Sequence, residues 1–254
     1  MNREGPRVTV TVLTGFPAFF GSLATEGIVR IALEKGLARL RIVALRDYTD
    51  DRHRSIDDYP YGGGPGMVLK VEPVARALRD LPPPEGKREV VLLSPQGRLL
   101  TQEFLEARAG VDAPEELVLV CGRYKGVDER IRELADREIS LGDYVISGGE
   151  LAAMVVIDGI LRLIPGVLGD LDSARGDSFA TGILDSAYYT RPEEWEGRRV
   201  PEVLLSGNHA AIRRWRRRDA LARTFARRPE LLARTPLDEE DREFLKRLGW
   251  RENP

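Results

Sequence analysis

Four glycine-bearing loops are the parts of this sequence best suited to hold a small ligand. They occupy residues 61–67, 94–97, 121–126 and 141–150. Glycine permits positive φ and close backbone approach, which suits amide groups that hydrogen-bond a flat purine. A single loop of this kind is more often an ordinary turn. Four of them in one chain favour a ligand-binding site built largely from backbone.

The best-known nucleotide-binding motifs are absent from the sequence. Segment 61–67 lacks the third glycine of G-x-G-x-x-G, and no G-x-x-x-x-G-K-[ST] occurs. One cysteine, Cys121, and two histidines rule out an internal disulfide and argue against a zinc site. Cys121 lies in an apolar run, where we expect it to be buried as a small hydrophobic residue. A dehydrogenase and a P-loop enzyme are therefore disfavoured.

Regular elements must position these loops, and the hydrophobic pattern predicts an α/β fold. We expect strands at 8–13, 40–45, 90–93 and 117–120, and helices at 28–35 and 102–109. Short apolar strands that alternate with helices indicate a parallel sheet covered on both faces. Such sheets bind ligands at the carboxyl ends of their strands, where the glycine loops begin.

The second half of the sequence changes in character. Segment 150–164 is apolar nearly all round, which predicts a helix buried in a core or between subunits. Residues 167–176 are rich in Gly, Asp and Ser and predict a linker, with local turns or disorder as alternatives. Further helices are expected at 209–228 and 238–248. The predicted organisation is a first domain at 1–166, a linker at 167–178 and a small helical domain at 179–254.

The overall composition is that of a globular protein. The chain has 254 residues, 42% hydrophobic and 31% charged, with a formal net charge of −2. No apolar run approaches the roughly 20 residues needed to cross a bilayer, and the start of the chain has no secretory signal. We therefore expect a cytoplasmic protein with no membrane partner.

Arginines crowd together between residues 191 and 234, above all in the run at 212–218. A solvated helix face is the usual explanation for such a run. Trp215 stands among five of these arginines, and this combination favours RNA, because guanidinium groups bind phosphates while an indole packs or stacks. The sequence thus predicts a local basic patch within a nearly neutral protein.

Six strings, in order along almost the whole chain, resemble the bacterial tRNA (guanine-N1)-methyltransferase family. They are YGGGPGM at 61–67, CGRYKGVDER at 121–130, LGDYVISGGE at 141–150, IPGVLG at 164–169, DSF at 177–179 and YTRP at 189–192. That family belongs to the SPOUT methyltransferases. The resemblance implies a trefoil-knotted first domain and an obligate homodimer, which composition does not indicate because knots are nearly absent from folds in general.

The resemblance also implies a cofactor, S-adenosylmethionine, held in a bent shape among the knot loops. Backbone amides and carbonyls would read its adenine. The residues carried over as cofactor-binding are Leu93, Ser94, Pro95, Gly122, Tyr124, Leu141, Gly142, Asp143, Tyr144, Val145, Ile146, Gly148 and Gly149. Without the resemblance, Tyr124 and Tyr144 could equally be core aromatic residues.

The family's reaction assigns roles to two further residues. Guanine N1 carries a proton and is a weak nucleophile, so methylation needs a base. The resemblance implies that Asp177 is this base and that Arg162 stabilises charge on guanine O6. Asp177 would reach the cofactor bound mainly by the partner subunit. Taken alone, Asp177 is more typical of a helix N-cap, and Arg162 of a side chain that snorkels or pairs with a carboxylate.

The implied substrate is the anticodon arm of a tRNA, with methylation of a guanine at position 37. The family's C-terminal domain grips this arm, and the string at 206–209 resembles a family segment near the RNA. The expected RNA contacts are Ser206, His209, Arg213, Trp215 and Arg216.

One departure from the family concerns metal. Lys125 stands where the family commonly has glutamate, so magnesium dependence by the family route is less secure here, and no metal ligands are assigned. Two alternative functions remain open: another SPOUT-type RNA methyltransferase, or a catalytically silent RNA-binding protein that does not bind S-adenosylmethionine.

Overall fold

A computed structural model describes residues 6–169 and 176–251 of the chain. The chain divides into two compact units, Met1–Leu171 and Asp172–Pro254. Of the predicted linker at 167–178, residues 170–175 lie outside the described part. The two units are built differently, the first around a sheet and the second around helices.

The first unit contains a five-stranded sheet in which every pair of neighbours is parallel. Its strands are β1 (Val8–Thr14), β2 (Ala38–Ala44), β5 (Arg88–Leu99), β6 (Glu116–Cys121) and β7 (Arg137–Ser140), in the spatial order β2-β1-β6-β5-β7. Two short strands, β3 (Asp57–Asp58) and β4 (Val68–Leu69), form a separate antiparallel pair. The predicted parallel α/β sheet is confirmed.

Helices cover both faces of this sheet. They are α1 (Gly21–Thr25), α2 (Gly27–Glu34), α3 (Val71–Asp80), α4 (Gln102–Ala109) and α5 (Gly149–Leu161), with 3-10 helices at Pro17–Phe20, Leu45–Tyr48 and Glu129–Leu134. Strand β6 shows why both faces are buried. Leu117 and Leu119 join the core beneath α2, α4 and α5, whereas Val118 and Val120 join the core beneath α3. Side chains of a strand alternate between faces, so an uninterrupted apolar run needs cover on both sides.

Helix α5 ends three residues earlier than its apolar composition predicts. The predicted segment reaches residue 164, but the helix stops at Leu161 and continues as turns in which Leu163 N donates to Ile160 O and Ile164 N to Leu161 O. Pro165 accounts for this difference, because a proline disfavours helical dihedrals in the residue before it. The last turn therefore tightens to i→i−3 bonds.

In the described part of the second unit, the regular elements are helices and one two-stranded hairpin, and residues 176–193 form turns and irregular segments. Its elements are β8 (Glu194–Trp195), β9 (Arg198–Arg199), α6 (Glu202–Leu205), α7 (His209–Arg227), a 3-10 helix at Pro229–Arg234 and α8 (Glu239–Arg247). Asn208 caps α7 by accepting a hydrogen bond from Ala211 N, and Asp238 forms a reciprocal capping box with Asp241 at the start of α8. A small core that includes Leu221 and Leu245 holds these helices together. Across both units, no described helix has the length and apolarity that crossing a bilayer requires.

Candidate active site

Three of the glycine loops meet at one edge of the sheet. Strands β6, β5 and β7 lie side by side, and Leu93 of β5 pairs with Cys121 of β6 on one side and Ile139 of β7 on the other. Because parallel strands run toward the same edge, the loops 122–127 and 141–149 come together there with residues 94–97, where the pairing of β5 with β7 shifts register. The structure thereby gathers all the residues that the sequence assigned to the cofactor into one region of the first unit.

Two of the glycines in these loops are needed for contact between the loops themselves. Gly149 N donates to Gly122 O at 2.7 Å. A β-carbon on Gly149 would lie 2.7 Å from the Cα of Cys121, and one on Gly122 would lie 2.7 Å from the carbonyl oxygen of Leu93. Any side chain at either position would force backbone apart. These glycines, with buried Gly148, fix the relative position of the three loops.

A buried ionic cluster ties the loops to the first strand. Glu150, only 1% exposed, accepts hydrogen bonds from Thr14 Oγ1 at 2.8 Å and from Arg123 Nη1 at 3.0 Å. The Arg123 guanidinium also stacks over the Phe16 ring, 3.8 Å from its centroid. The Glu150 side chain thereby joins the end of β1, the loop after β6 and the start of α5.

The loop after β7 presents its side chains to solvent. Its backbone is held by Gly142 N, which donates to Ser140 Oγ at 3.2 Å, and by Tyr144 N, which donates to Gly142 O at 2.9 Å. Tyr144 is 58% exposed and Val145 and Ile146 are also exposed. The alternative in which Tyr144 is a core aromatic residue is wrong, and its ring is accessible to a ligand.

Tyr124 is accessible too, with 38% of its surface exposed, so the core alternative fails for it as well. Its φ of 62° lies in the left-handed region, which is uncommon for a residue with a side chain. Partial burial raises the pKa of the Tyr124 hydroxyl, and the charge of Asp57 and a hydrogen bond with it raise this pKa further. The hydroxyl therefore stays protonated and joins this loop to β3.

Cys121, at the end of β6, is buried as predicted. Burial raises the pKa of its thiol well above the ordinary value, and the nearby Glu150 carboxylate adds to this effect. A thiol that stays protonated is a poor nucleophile. Cys121 is a packing residue beneath the loops.

Residues 94–97, the irregular part of β5, are held against β7. Ser94 Oγ donates to Glu138 Oε1 at 2.5 Å and accepts from Gln96 N at 3.0 Å. A β-carbon on Gly97 would lie 2.3 Å from Ile139 N, which requires glycine where the pairing of β5 with β7 shifts register. Pro95 is exposed in this segment, whereas Leu93 is buried and offers a ligand only its backbone.

The two residues with predicted catalytic roles belong to different units. Arg162 follows the last residue of α5 in the first unit, where it is half-buried and its backbone N–H donates to Asp158 O at 3.1 Å. Asp177 lies in the second unit in a turn closed by Ala180 N, which donates to Asp177 O at 3.2 Å. The described residues 176–183 form turns, so no helix begins here and the helix N-cap alternative for Asp177 is wrong.

The arginine run in α7 separates into two sets. Arg217 and Arg218 pair with Asp241 and Glu240 of α8 at 2.5 and 3.0 Å, and Arg214 lies 3.6 Å from Glu240. These ion pairs explain why acidic residues follow the basic run in the sequence. They also neutralise one side of α7.

The remaining candidate RNA contacts lie elsewhere on this helix. His209, Arg213 and Arg216 are exposed, and their i, i+4, i+7 spacing places them on one face of α7. Trp215 is half-buried, with its ring centroid 6.4 Å from that of Tyr189. Ser206 has a local role, because its hydroxyl donates to Val203 O at 2.7 Å and accepts from Asn208 N at 3.2 Å.

Comparison with known proteins identifies the family. The tRNA (guanine-1)-methyltransferase TrmD family matches residues 8–234, a range that includes every candidate site residue in both units. The chain belongs to this family. Curated proteins named tRNA (guanine-N(1)-)-methyltransferase are similar to it: that of Syntrophotalea carbinolica is 54% identical over 93% of this chain and 95% of its own. Those of Moorella thermoacetica and Dictyoglomus turgidum are 52% and 49% identical, covering 96% and 94% of this chain and 97% and 96% of their own.

This match confirms the resemblance found in the sequence motifs. Two of the six motifs, at 121–130 and 141–150, lie in the loops at the carboxyl edge of the sheet. Lys125, in the first of them, is exposed, and its backbone N–H donates to Met67 O at 3.0 Å. Within the described residues, no group of three or more His, Cys, Asp and Glu side chains is arranged to hold a metal ion.

The sequence analysis assigned no role to three residues that lie beside the candidate cofactor loops: Thr14, Phe16 and Arg123. Arg123 lies within the motif at 121–130, so its place beside the candidate cofactor residues was visible. Its pairing with Glu150 was not, because the two residues are 27 positions apart and their contact depends on how the loops cross.

Proposed function

We propose that this chain is an S-adenosylmethionine-dependent tRNA (guanine-N1)-methyltransferase that acts on guanine 37, next to the anticodon. The family match over residues 8–234 carries the proposal, together with the names of relatives about 50% identical over nearly their whole length. The candidate site also supports the proposal, because loops with exposed backbone groups and accessible aromatic and apolar side chains can bind a purine cofactor.

The cofactor supplies a methyl group bound to a positively charged sulfur. The loops at the carboxyl edge of β5, β6 and β7 hold it in this proposal. Leu93, Gly122 and Gly142 contribute backbone groups to the adenine, and the exposed side chains of Tyr144 and Ile146 give it apolar cover. The close loop packing at Gly122 and Gly149 supports this role, because it pre-organises the site before any ligand enters.

Asp177 and Arg162 divide the remaining chemistry. The Asp177 carboxylate accepts the proton of guanine N1, which leaves negative charge shared between N1 and O6. The N1 electron pair then forms the bond to the methyl carbon while the bond between that carbon and the sulfur breaks. Until that bond has formed, part of the negative charge lies on guanine O6. The Arg162 guanidinium, a fixed cation, stabilises this charge in the transition state.

A homodimer completes the site in this proposal, with Asp177 serving the cofactor loops of the partner subunit. Its support comes from α5, which is apolar yet leaves Leu151 and Val155 about half exposed one turn apart. Exposed apolar side chains of this kind are typical of a surface covered by another chain.

A trefoil knot accounts for the crossing of the loops. Strands β6 and β7 lie on opposite sides of β5, yet α5, which follows β7, begins against the end of β6. The chain between β7 and α5 must therefore pass the loop after β6, where Arg123 and Gly148 form an isolated bridge. The knot keeps these loops in contact.

The helical second domain, residues 179–254, holds the anticodon arm. The exposed face formed by His209, Arg213 and Arg216 binds its phosphates, with Trp215 and Ser206 beside them. Guanine must leave the stacked loop before its N1 edge is accessible. A second domain that grips the arm keeps the RNA in place during this step.

A methyl-transfer assay on anticodon-arm RNA with guanine at position 37 tests the proposal. The wild type should produce 1-methylguanosine, identified by mass spectrometry of the digested RNA. Asp177→Ala should lower kcat by at least about 100-fold, the usual contribution of a positioned general base. Calorimetry should show S-adenosylmethionine bound by both proteins.

The matched control is Glu239→Ala, which removes an exposed carboxylate from the same unit and should leave the rate unchanged. Full activity of the Asp177 variant would remove this residue from the mechanism. A methyl group on ribose would indicate another SPOUT-type activity, and RNA binding without cofactor binding would indicate a silent RNA-binding protein. Either result would replace the proposed function.

A further inference from the structure

The loop between β3 and β4, residues 59–67, carries two tyrosines that the proposed mechanism does not use. Tyr61 is fully exposed and Tyr59 is 78% exposed. Single exposed apolar side chains are ordinary on protein surfaces. Two large rings on one short loop, both able to gain free energy by stacking, indicate a surface that a flat ligand covers.

The glycines of this loop leave its backbone bare. Gly62, Gly63 and Gly64 all have positive φ, of 83°, 74° and 110°. A β-carbon on any of the three would meet nothing within 4 Å, so packing against the protein does not require glycine there. Their conformation requires it, and the result is a chain of peptide groups open to close approach from solvent.

Both ends of this loop are attached to the loop after β6, residues 122–127, which is one of the candidate cofactor loops. Lys125 N donates to Met67 O, and Leu69 N donates to Gly126 O, each at 3.0 Å. On the other strand, Asp57 hydrogen-bonds Tyr124. The tyrosine loop is therefore anchored beside the residues that we assign to the cofactor.

Basic side chains accompany the tyrosines. Lys125 is exposed, and its side chain lies against Gly66, whose β-carbon would be 3.3 Å from the Cβ of Lys125. Arg130 pairs with Asp128 at 2.7 Å and lies within electrostatic reach of Tyr61. Aromatic rings next to cations are the combination with which proteins bind unpaired nucleotides, the rings stacking on bases and the cations contacting phosphates.

We propose that Tyr61, supported by Tyr59, stacks on an unpaired base of the RNA next to the guanine that enters the active site. This inference rests on the proposed function and extends it to a residue without an assigned role. Removing guanine from a stacked loop exposes the face of its neighbour. The Tyr61 ring covers that face, which makes Tyr61 a positioning residue for the RNA.

Methyl-transfer kinetics with anticodon-arm RNA separate stacking from other roles. Tyr61→Ala should raise the KM for RNA at least about fivefold, the lower end of what one base–aromatic stack contributes. Tyr61→Phe keeps the ring and should stay within about twofold of the wild type, because stacking needs no hydroxyl. The affinity for S-adenosylmethionine, measured by calorimetry, should be the same in all three proteins.

The matched control is Val111→Ala, which alters an exposed residue in the loop before β6, at the opposite edge of the sheet. It should leave the KM for RNA unchanged. A second readout uses RNA with 2-aminopurine beside the target guanine. Its fluorescence should stay quenched when bound to the wild type and to Tyr61→Phe, and should increase when bound to Tyr61→Ala.

Two results would overturn the inference while leaving the proposed function intact. One is a wild type that methylates guanine N1 together with a Tyr61→Ala variant whose KM and 2-aminopurine signal match it. The other is a Tyr61→Phe variant as impaired as Tyr61→Ala, which would assign the effect to the hydroxyl. A wild type that transfers no methyl group would refute the proposed function itself, and the inference with it.

Discussion

The thiol of Cys121, which is buried beneath the candidate cofactor loops, is kept unreactive by its surroundings. It ends β6 directly beneath Gly149 and is fully enclosed. Burial raises the pKa of its thiol, the Glu150 charge raises it further, and Arg123 offsets only part of this rise. The folded protein therefore favours the neutral thiol. Its contribution to stability is present below the pKa of the unfolded thiol and is lost as the pH rises through the higher folded pKa.

This environment predicts the reactivity of the thiol. At pH 8, Cys121 in the native protein should react with Ellman's reagent at least about 100-fold more slowly than in urea-unfolded protein, because attack requires both an opening of the structure and ionisation. The unfolded chain should release one equivalent of product, since the sequence has one cysteine. Equal rates in the two states would mean that the end of β6 is accessible and that the packing beneath the loops is wrong.

At the scale of elements, Arg123 and Glu150 join three segments that are far apart in sequence. Their ion pair has 19% and 2% of its side-chain surface exposed, and Thr14 supplies a second donor to the carboxylate. A buried ion pair adds little net stability compared with apolar packing. Losing one partner is costly, however, because the other charge stays buried without compensation.

We therefore expect Arg123→Ala to lower the free energy of unfolding by about 2–3 kcal/mol, below the usual range for a fully buried pair because Arg123 keeps some solvent contact. Urea denaturation measures this change. The control is Arg130→Ala, which breaks an exposed pair with Asp128 in the same motif and should cost about 1 kcal/mol or less. The double variant Arg123→Met with Glu150→Gln should recover part of the loss. Equal effects of Arg123→Ala and Arg130→Ala would contradict a buried pair.

An element could be predicted from the sequence when the interactions that form it are between residues close together in the chain. The apolar run of β6 and the helical pattern of α7 are local, and both elements were located from sequence within a residue or two at each end. Helix α3 was also within reach, since Val71, Val74 and Leu78 recur at helical spacing, but it was not predicted. The strand order β2-β1-β6-β5-β7 was not accessible, because it depends on pairings between distant segments.

For the candidate site, too, the sequence predicted local features but not those that depend on contacts between distant residues. Its loops could be located from glycine content and motif order. The function of individual glycines could not, because Gly122 and Gly149 are required by the contact of two loops, whereas Gly62 to Gly64 are required only by their own dihedrals. The arginine run gives a further example. Its position was clear from the sequence, but which arginines stay exposed depends on where α8 places Glu240 and Asp241.

At the scale of the whole molecule, the proposed mechanism requires a symmetric dimer in which residues of both subunits form each active site. If Asp177 serves the cofactor loops of the partner, each active site combines parts of two subunits. Two variants that are inactive alone can then restore one site in a mixed dimer. Asp177→Ala removes the base. Ile146→Asp places a charge on an exposed side chain of the cofactor loop and should abolish cofactor binding, which calorimetry must establish first.

Co-expression with two different affinity tags, followed by sequential purification, yields the mixed dimer. One of its sites pairs intact loops with an intact Asp177, so it should show about half of the wild-type activity per dimer. The other site carries both defects and should be silent. If Asp177 instead served its own subunit, each site would keep one defect and the mixed dimer would be as inactive as the two parents. The control is a dimer of wild type with Asp177→Ala. It keeps one intact site whether Asp177 serves its own subunit or the partner, so its activity shows that the tags and the mixing do not inactivate the protein. The activity of the mixed dimer thus decides whether each active site is formed by one subunit or by two.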